Sequence, residues 1–182
     1  MGLVTSIFDE DKLDALEGQS AVGHVRYSTT GSSMMANAQP LLTNSIKGDL
    51  AIAHNGNLVN GEEMRNNLES QGSIFHSTLD TEVIAHLVAR SFKDDIIEAL
   101  MQSLQQIKGA FSLIAMTNDS LIAARDPHGF RPLVLGKKDD SFKISGPIHT
   151  NDSNERIIYR ILLAISGFLF LIREVSINVF SV

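Results

Sequence analysis

Residues 54–57, read as His54-Asn55-Gly56-Asn57, are where residue type and spacing in this chain most plainly suggest chemistry. They follow directly on Leu50-Ala51-Ile52-Ala53, an apolar run with the character of a buried strand, so the strand meets a histidine, two amides and a glycine with no linker between. Glycine tolerates a close approach, and such a strand end presents backbone N–H groups and a side-chain amide to whatever lies beyond it. A competing reading is a strand followed by an ordinary Asn-Gly turn. A second polar cluster, Arg26-Tyr27-Ser28-Thr29-Thr30-Gly31, closes the strand-like residues 21–27. Asp80 precedes the apolar stripe Val83, Ile84, Leu87 and Val88, where a carboxylate can cap a helix.

Several chemistries are excluded by composition. The 182 residues contain no cysteine, which removes disulfides, thiolate zinc sites and a cysteine nucleophile within them. No pair among the six histidines has the i, i+4 spacing of a helical metal site, and none is expected. With a net charge of -6 and no basic run, nucleic acid is not an expected partner. Residues 1–8 lack a basic segment and run into Asp9, Glu10 and Asp11, unlike a secretory leader, so a cytoplasmic setting is expected.

These polar clusters need elements to position them. Asn60 and Glu63 have the spacing of a capping box before Met64 and Leu68, which predicts a helix over 61–70 ended by Gly72. The Val83 stripe predicts a second helix ending near Ser91, and Ile96, Ile97, Leu100, Met101, Leu104 and Ile107 predict a third within 93–108, closed by Gly109. Residues 110–116 and 121–124 are apolar runs joined by a polar turn, a β-hairpin signature. Residues 132–135 read as another strand, with a charged turn over 137–140 before Phe142 and Ile144. Strands around central helices make the fold class α+β, its antiparallel sheets covered on one face by amphipathic helices.

Five blocks occur in order: Gly23-His24-Val25-Arg26-Tyr27-Ser28-Thr29, Asn37-Ala38-Gln39-Pro40, His54-Asn55-Gly56-Asn57, Asp80-Thr81-Glu82 and Asp126-Pro127-His128-Gly129-Phe130-Arg131-Pro132-Leu133. Over about residues 1–143 the chain thereby resembles the class II glutamine amidotransferase domain of the amidophosphoribosyltransferases. The resemblance implies an Ntn-hydrolase αββα sandwich, here lacking its first strand, and glutamine hydrolysis that feeds ammonia to phosphoribosylamine synthesis in purine biosynthesis. It further implies that Asn55 and the Gly56 N–H form an oxyanion hole, that Arg26 and Thr29 hold the glutamine carboxylate, and that Asp80 holds its ammonium. His128 and Arg131 are assigned a structural role only.

Two departures from the family pattern set further expectations. The family's nucleophilic cysteine stands on a first strand that has no counterpart in the sequence, so glutamine binding is expected to be weak or lost and hydrolysis absent. That missing strand is also expected to leave a sheet edge unpaired. An alternative reading is a catalytically silent module that pairs with a full-length homologue; no cofactor is expected either way. The second departure is at the other end: residues 1–146 read as a partial amidotransferase domain and residues 147–182 as a divergent apolar tail. Asp139-Asp140-Ser141 lacks the basic and hydroxyl residues of a phosphoribosyl pyrophosphate motif and reads as a turn. The apolar run 161–172 is short of the roughly twenty residues of a membrane span. It could be a packed helix, a membrane-associated segment, or sequence foreign to the fold from a frame change or intron, and the last predicts a poorly packed tail.

Overall fold

The computed structural model of the chain describes residues 8–15, 18, 20–25, 35–138, 141–146, 158–161, 169–173 and 177–179. Arg26 and Thr29 lie outside the described residues, as does most of the tail. The elements are α1 (Glu10–Asp14), β1 (Ser20–Val22), a 3-10 turn at Met35–Asn37, β2 (Leu41–Ser45), β3 (Gly48–Leu58), α2 (Gly61–Ser70), α3 (Thr81–Arg90), α4 (Ile96–Leu104), β4 (Gly109–Met116), β5 (Ser120–Arg125), β6 (Val134–Lys138), β7 (Ser141–Ser145), β8 (Ile158–Ile161), β9 (Leu169–Arg173) and β10 (Ile177–Val179).

The central sheet runs β2-β3-β4-β5-β9 with every neighbour antiparallel. A second, three-stranded antiparallel sheet runs β7-β6-β8, and β1 pairs with β10 in parallel. Period-two alternation sorts the central strands into two faces. Leu50, Ile52, Leu58, Phe111, Leu113, Ala115, Ile122 and Ala124 join Ile84, Val88, Ile97 and Leu100 of the helices in the main core. Ala51, Ala53, Met116 and the partly buried Ile114 point the other way and pack with Val22. The α+β class and its antiparallel sheets therefore follow from the alternation and the helical stripes.

Helix α2 matches its predicted span, but the capping box does not form. Asn60 makes no cap bond and instead ties the neighbouring turn, its Nδ2 donating to the Gln106 carbonyl at 3.0 Å and its Oδ1 accepting from Lys108 N at 2.8 Å. Helix α4 is shorter than the apolar stripe suggested, because Asp95 caps it by accepting from Ile97 N and Glu98 N. The β4–β5 hairpin stands as read.

At residues 54–58 the sequence expectation is corrected. Strand β3 does not stop at His54, and Asn55-Gly56 is not a turn: the strand runs eleven residues, to Leu58, with Gly56 opposite Phe111 and Leu58 opposite Gly109. The cross-strand partner β4 supplies the pairing that a local turn signal cannot reveal. Residues 158–161, 169–173 and 177–179 are strands, and Leu169–Arg173 pairs with the outer edge of β5. An apolar run beside an unpaired strand edge has somewhere to pair even where local turn signals are lacking. Among the described residues no helix is long and apolar enough to cross a membrane.

Candidate functional site

The site follows from a difference in strand length. Strand β2 pairs with β3 only as far as Ile52, opposite Leu41, so residues 53–58 of β3 have β4 on one side and, among the described residues, no strand on the other. Alternation sends successive N–H groups to opposite sides, and the register decides which. Phe111, opposite Gly56, exchanges its backbone groups with Asp126: Asp126 N donates to Phe111 O at 2.9 Å and Phe111 N to Asp126 Oδ2 at 3.3 Å. Phe111 thus faces β5, and the N–H of Gly56 turns to the open edge together with those of His54 and Leu58. The outer two are stopped by side chains. His54 N donates to Gln39 Oε1 at 2.7 Å, and Leu58 N donates to Asp80 Oδ2 at 2.9 Å. Among the described residues no acceptor meets the N–H of Gly56, which lies between them.

Gly56 has to be a glycine. A Cβ there would lie 2.1 Å from the Ala110 carbonyl oxygen, 2.7 Å from Phe111 Cα and 2.9 Å from His54 Nε2. The first two are backbone and cannot swing away. The same alternation puts His54 on the helix-facing side of the sheet and Asn55 on the opposite side. Asn55 Nδ2 would be 3.4 Å from a Cβ placed on Gly146, the residue that follows β7. The amide of Asn55 thus sits where the end of the second sheet meets the central one.

Asp80 stands at the N-cap position of α3, yet its side chain does not cap the helix. Its carboxylate reaches across to β3 instead, with Oδ1 3.2 Å from His54 Nδ1 and Oδ2 on the Leu58 N–H. The His54 side chain is 2% exposed and that of Asp80 27%, so the pair has one buried and one solvent-facing member. Burial pushes the Asp80 carboxyl up, but the hydrogen bond and charge of His54 together with the Leu58 N–H outweigh it, and the group titrates below the ordinary carboxylate range. It is an anion at neutral pH. The helix-cap reading of Asp80 is therefore displaced by a link to the strand edge.

Gln39, Asn37, His54 and Asp126 hold the site together, and sequence reasoning gave none of them a role. Gln39 precedes Pro40 through a cis peptide bond and is buried. Asn37, fully buried, accepts from Thr78 N at 3.0 Å and bonds the Thr78 hydroxyl, which ties the loop before β2 to the residues leading into Asp80. Asp126 is fully buried and accepts from the N–H groups of Phe111, His128, Phe130 and Arg131. Burial raises its carboxyl and these four donors outweigh that, leaving it below the ordinary range. The structural role assigned to His128 and Arg131 has a specific form: their main chains, with their side chains exposed, are wrapped on one carboxylate. The only signal in the sequence was that these residues fall inside the quoted blocks.

A model of the glutamine amidotransferase domain matches residues 24–149. The chain belongs to that family. Amidophosphoribosyltransferase 2 of Arabidopsis thaliana, a chloroplastic protein, is 48% identical over 140 residues, which is 77% of this chain and 25% of that protein. The amidophosphoribosyltransferase of Methanocaldococcus jannaschii is 49% identical over 147 residues, 80% of this chain and 31% of that protein. The chain therefore spans between a quarter and a third of these curated relatives. Among solved structures, the glutamine phosphoribosylpyrophosphate amidotransferase of B. subtilis, complexed with ADP and GMP, superposes with a TM-score of 0.62 at 44% identity, covering 66% of this chain and 26% of that one. A structure described as the allosteric regulatory enzyme of purine biosynthesis gives 0.63 at 46% identity, with the same coverage.

The sandwich of an amidotransferase domain accounts for the helix-covered central sheet and the separate sheet β7-β6-β8. The match ends at residue 149, so most of the apolar tail lies beyond it. Of the residues singled out in the sequence, the structure brings Asn55, Gly56 and Asp80 to one stretch of strand edge; Arg26 and Thr29 lie outside the described residues.

Proposed function

We propose that this chain is the glutamine-binding part of an amidophosphoribosyltransferase, an enzyme that releases ammonia from glutamine for phosphoribosylamine synthesis in purine biosynthesis. The observation that carries the reading is the open Gly56 N–H, held between two side-chain-capped neighbours on the edge of β3. When a nucleophile adds to a carboxamide, negative charge collects on the carbonyl oxygen, and a preorganised donor aimed at that oxygen lowers the barrier by roughly 3 kcal/mol. Gly56 N–H supplies one donor and Asn55 Nδ2 the second.

Spacing supports the placement of the rest of the ligand. The N–H groups of Gly56 and Leu58 are two residues apart on one strand edge, about 6.7 Å. Glutamine spans about 6 Å from its side-chain amide oxygen to its α-nitrogen, five bonds of ordinary length. An amide oxygen on Gly56 therefore leaves the α-ammonium beside Asp80, whose anion already sits on Leu58 N. Arg26 and Thr29 take the α-carboxylate in this reading, the guanidinium by a two-pronged hydrogen bond. No cysteine occurs in the 182 residues, so they bind and polarise glutamine without attacking it. The cytoplasm is the setting this reading assumes.

The test is an NMR titration of the isotopically labelled chain with L-glutamine. Saturable shifts are expected at the amides of Gly56 and Leu58 and at Asn55 Nδ2, and Asp80→Asn should weaken binding at least about tenfold by removing a charged hydrogen bond. Shifts confined to other parts of the chain, or equal binding by the Asp80→Asn variant, would overturn the reading.

A further inference from the structure

Buried polar side chains are normally paired, because a donor or acceptor taken out of water without a partner costs free energy. His54 is satisfied on one side only. Its ring is almost wholly buried, on the face of β3 that also carries Ile52 and Leu58. Nδ1 lies 3.2 Å from Asp80 Oδ1 and 3.3 Å from the Thr81 hydroxyl, while the buried Nε2 has no hydrogen-bond partner among the described residues. The bare nitrogen faces the strand, 2.9 Å from where a Cβ on Gly56 would be. One face of the ring thus meets the carboxylate assigned to the ammonium and the other abuts the glycine assigned to the amide oxygen.

We propose that His54 is a positioning residue of the glutamine site: with its proton on Nδ1 it donates to Asp80 Oδ1, and this fixes the carboxylate toward the ligand's ammonium while the ring wedges Gly56 in register. The inference rests on the glutamine reading above. Among the described residues the His54 ring meets Asp80 Oδ1 and the Leu58 N–H meets Oδ2, one from each end of the gap in the edge, and the Thr81 N–H also bonds the carboxylate. Without the ring, Oδ1 loses its side-chain partner and the carboxylate is less tightly fixed.

Ring nitrogen NMR of the wild-type chain tests the tautomer. A proton on Nδ1 is expected; a proton on Nε2, which would turn a lone pair on the Asp80 anion, overturns the proposal. Binding then separates positioning from packing. L-glutamine is compared with 4-carbamoylbutanoate, which is glutamine without the α-amino group. His54→Leu should weaken glutamine roughly tenfold and leave the analogue within about twofold, because only glutamine uses Asp80. His54→Asn, whose amide can put a donor near the Nδ1 position, should restore most of the glutamine affinity. Equal loss for both ligands, or no loss for either, overturns the proposal. Amide exchange at Leu58 gives a readout without ligand: His54→Leu should speed it, while exchange at Phe111, held by Asp126, stays as in wild type. If the wild-type chain binds neither ligand, the glutamine reading fails by itself, and the tautomer and the Leu58 exchange decide the role of His54.

Discussion

Replacing Gly56 by alanine probes the tightest point in the site. The added methyl would sit 2.1 Å from a carbonyl oxygen and 2.7 Å from an α-carbon of β4, both fixed by the ladder between β3 and β4. Overpacking into a closed core costs about 1–3 kcal/mol even when side chains can adjust. Here the two nearest neighbours are backbone, so relief requires the strands to part over several rungs, and the expected loss is about 3 kcal/mol or more. Against a usual total of about 5–15 kcal/mol, that is a large fraction of the stability of a domain. Urea denaturation followed by circular dichroism would read it as a lower midpoint with little change in slope. Gly23→Ala is the control, since a Cβ there meets nothing within 4 Å, and it should stay within about 0.5 kcal/mol of wild type. A Gly56→Ala chain with an unchanged midpoint would refute the close approach of β3 and β4, and with it the argument for where the Gly56 N–H points.

Further outcomes follow from the carboxylates and the helix caps. Asp80, Glu82 and Asp126 all titrate below the ordinary range. Burial raises each, and hydrogen-bond donors outweigh it. A depressed group contributes stability in full above its unfolded pKa of about 4 and loses it as pH falls through its lower folded value, so urea midpoints should drop progressively below about pH 4. Asp126→Asn should lose about 3 kcal/mol at neutral pH, because an amide presents one acceptor and two donors to four backbone N–H groups, and it should flatten part of that acid slope. Asp95→Ala removes the acceptor for Ile97 N and Glu98 N and should lower stability by about 1 kcal/mol in the same assay.

How far the sequence could be read depended on how local each signal was. Helices α2, α3 and α4 and the β4–β5 hairpin are encoded by apolar spacing and turn residues within themselves, and they stand close to where they were read. Asn55-Gly56 misled because the local turn signal is outweighed by pairing with β4, a partner fifty or more residues away. Asp80 and Asn60 both carry a helix-cap signal because they precede helices, but each spends its polar atoms on another segment. Such bonds have no periodicity and no fixed spacing. The same applies to Gln39 on His54 and Asp126 on Phe111, and the site is largely made of these long-range ties. Order of motifs along the chain identified the family; the register of β3 against β4 was needed to find which N–H is open.

The short reach of β2 bears on solubility as well as on ligand binding. A strand margin that offers several unsatisfied amides in a row invites a foreign chain to zip on to it and start a fibril. Here Gln39 and Asp80 act as plugs on either side of a one-amide vent, wide enough for a single oxygen atom but too interrupted for another polypeptide to lie along.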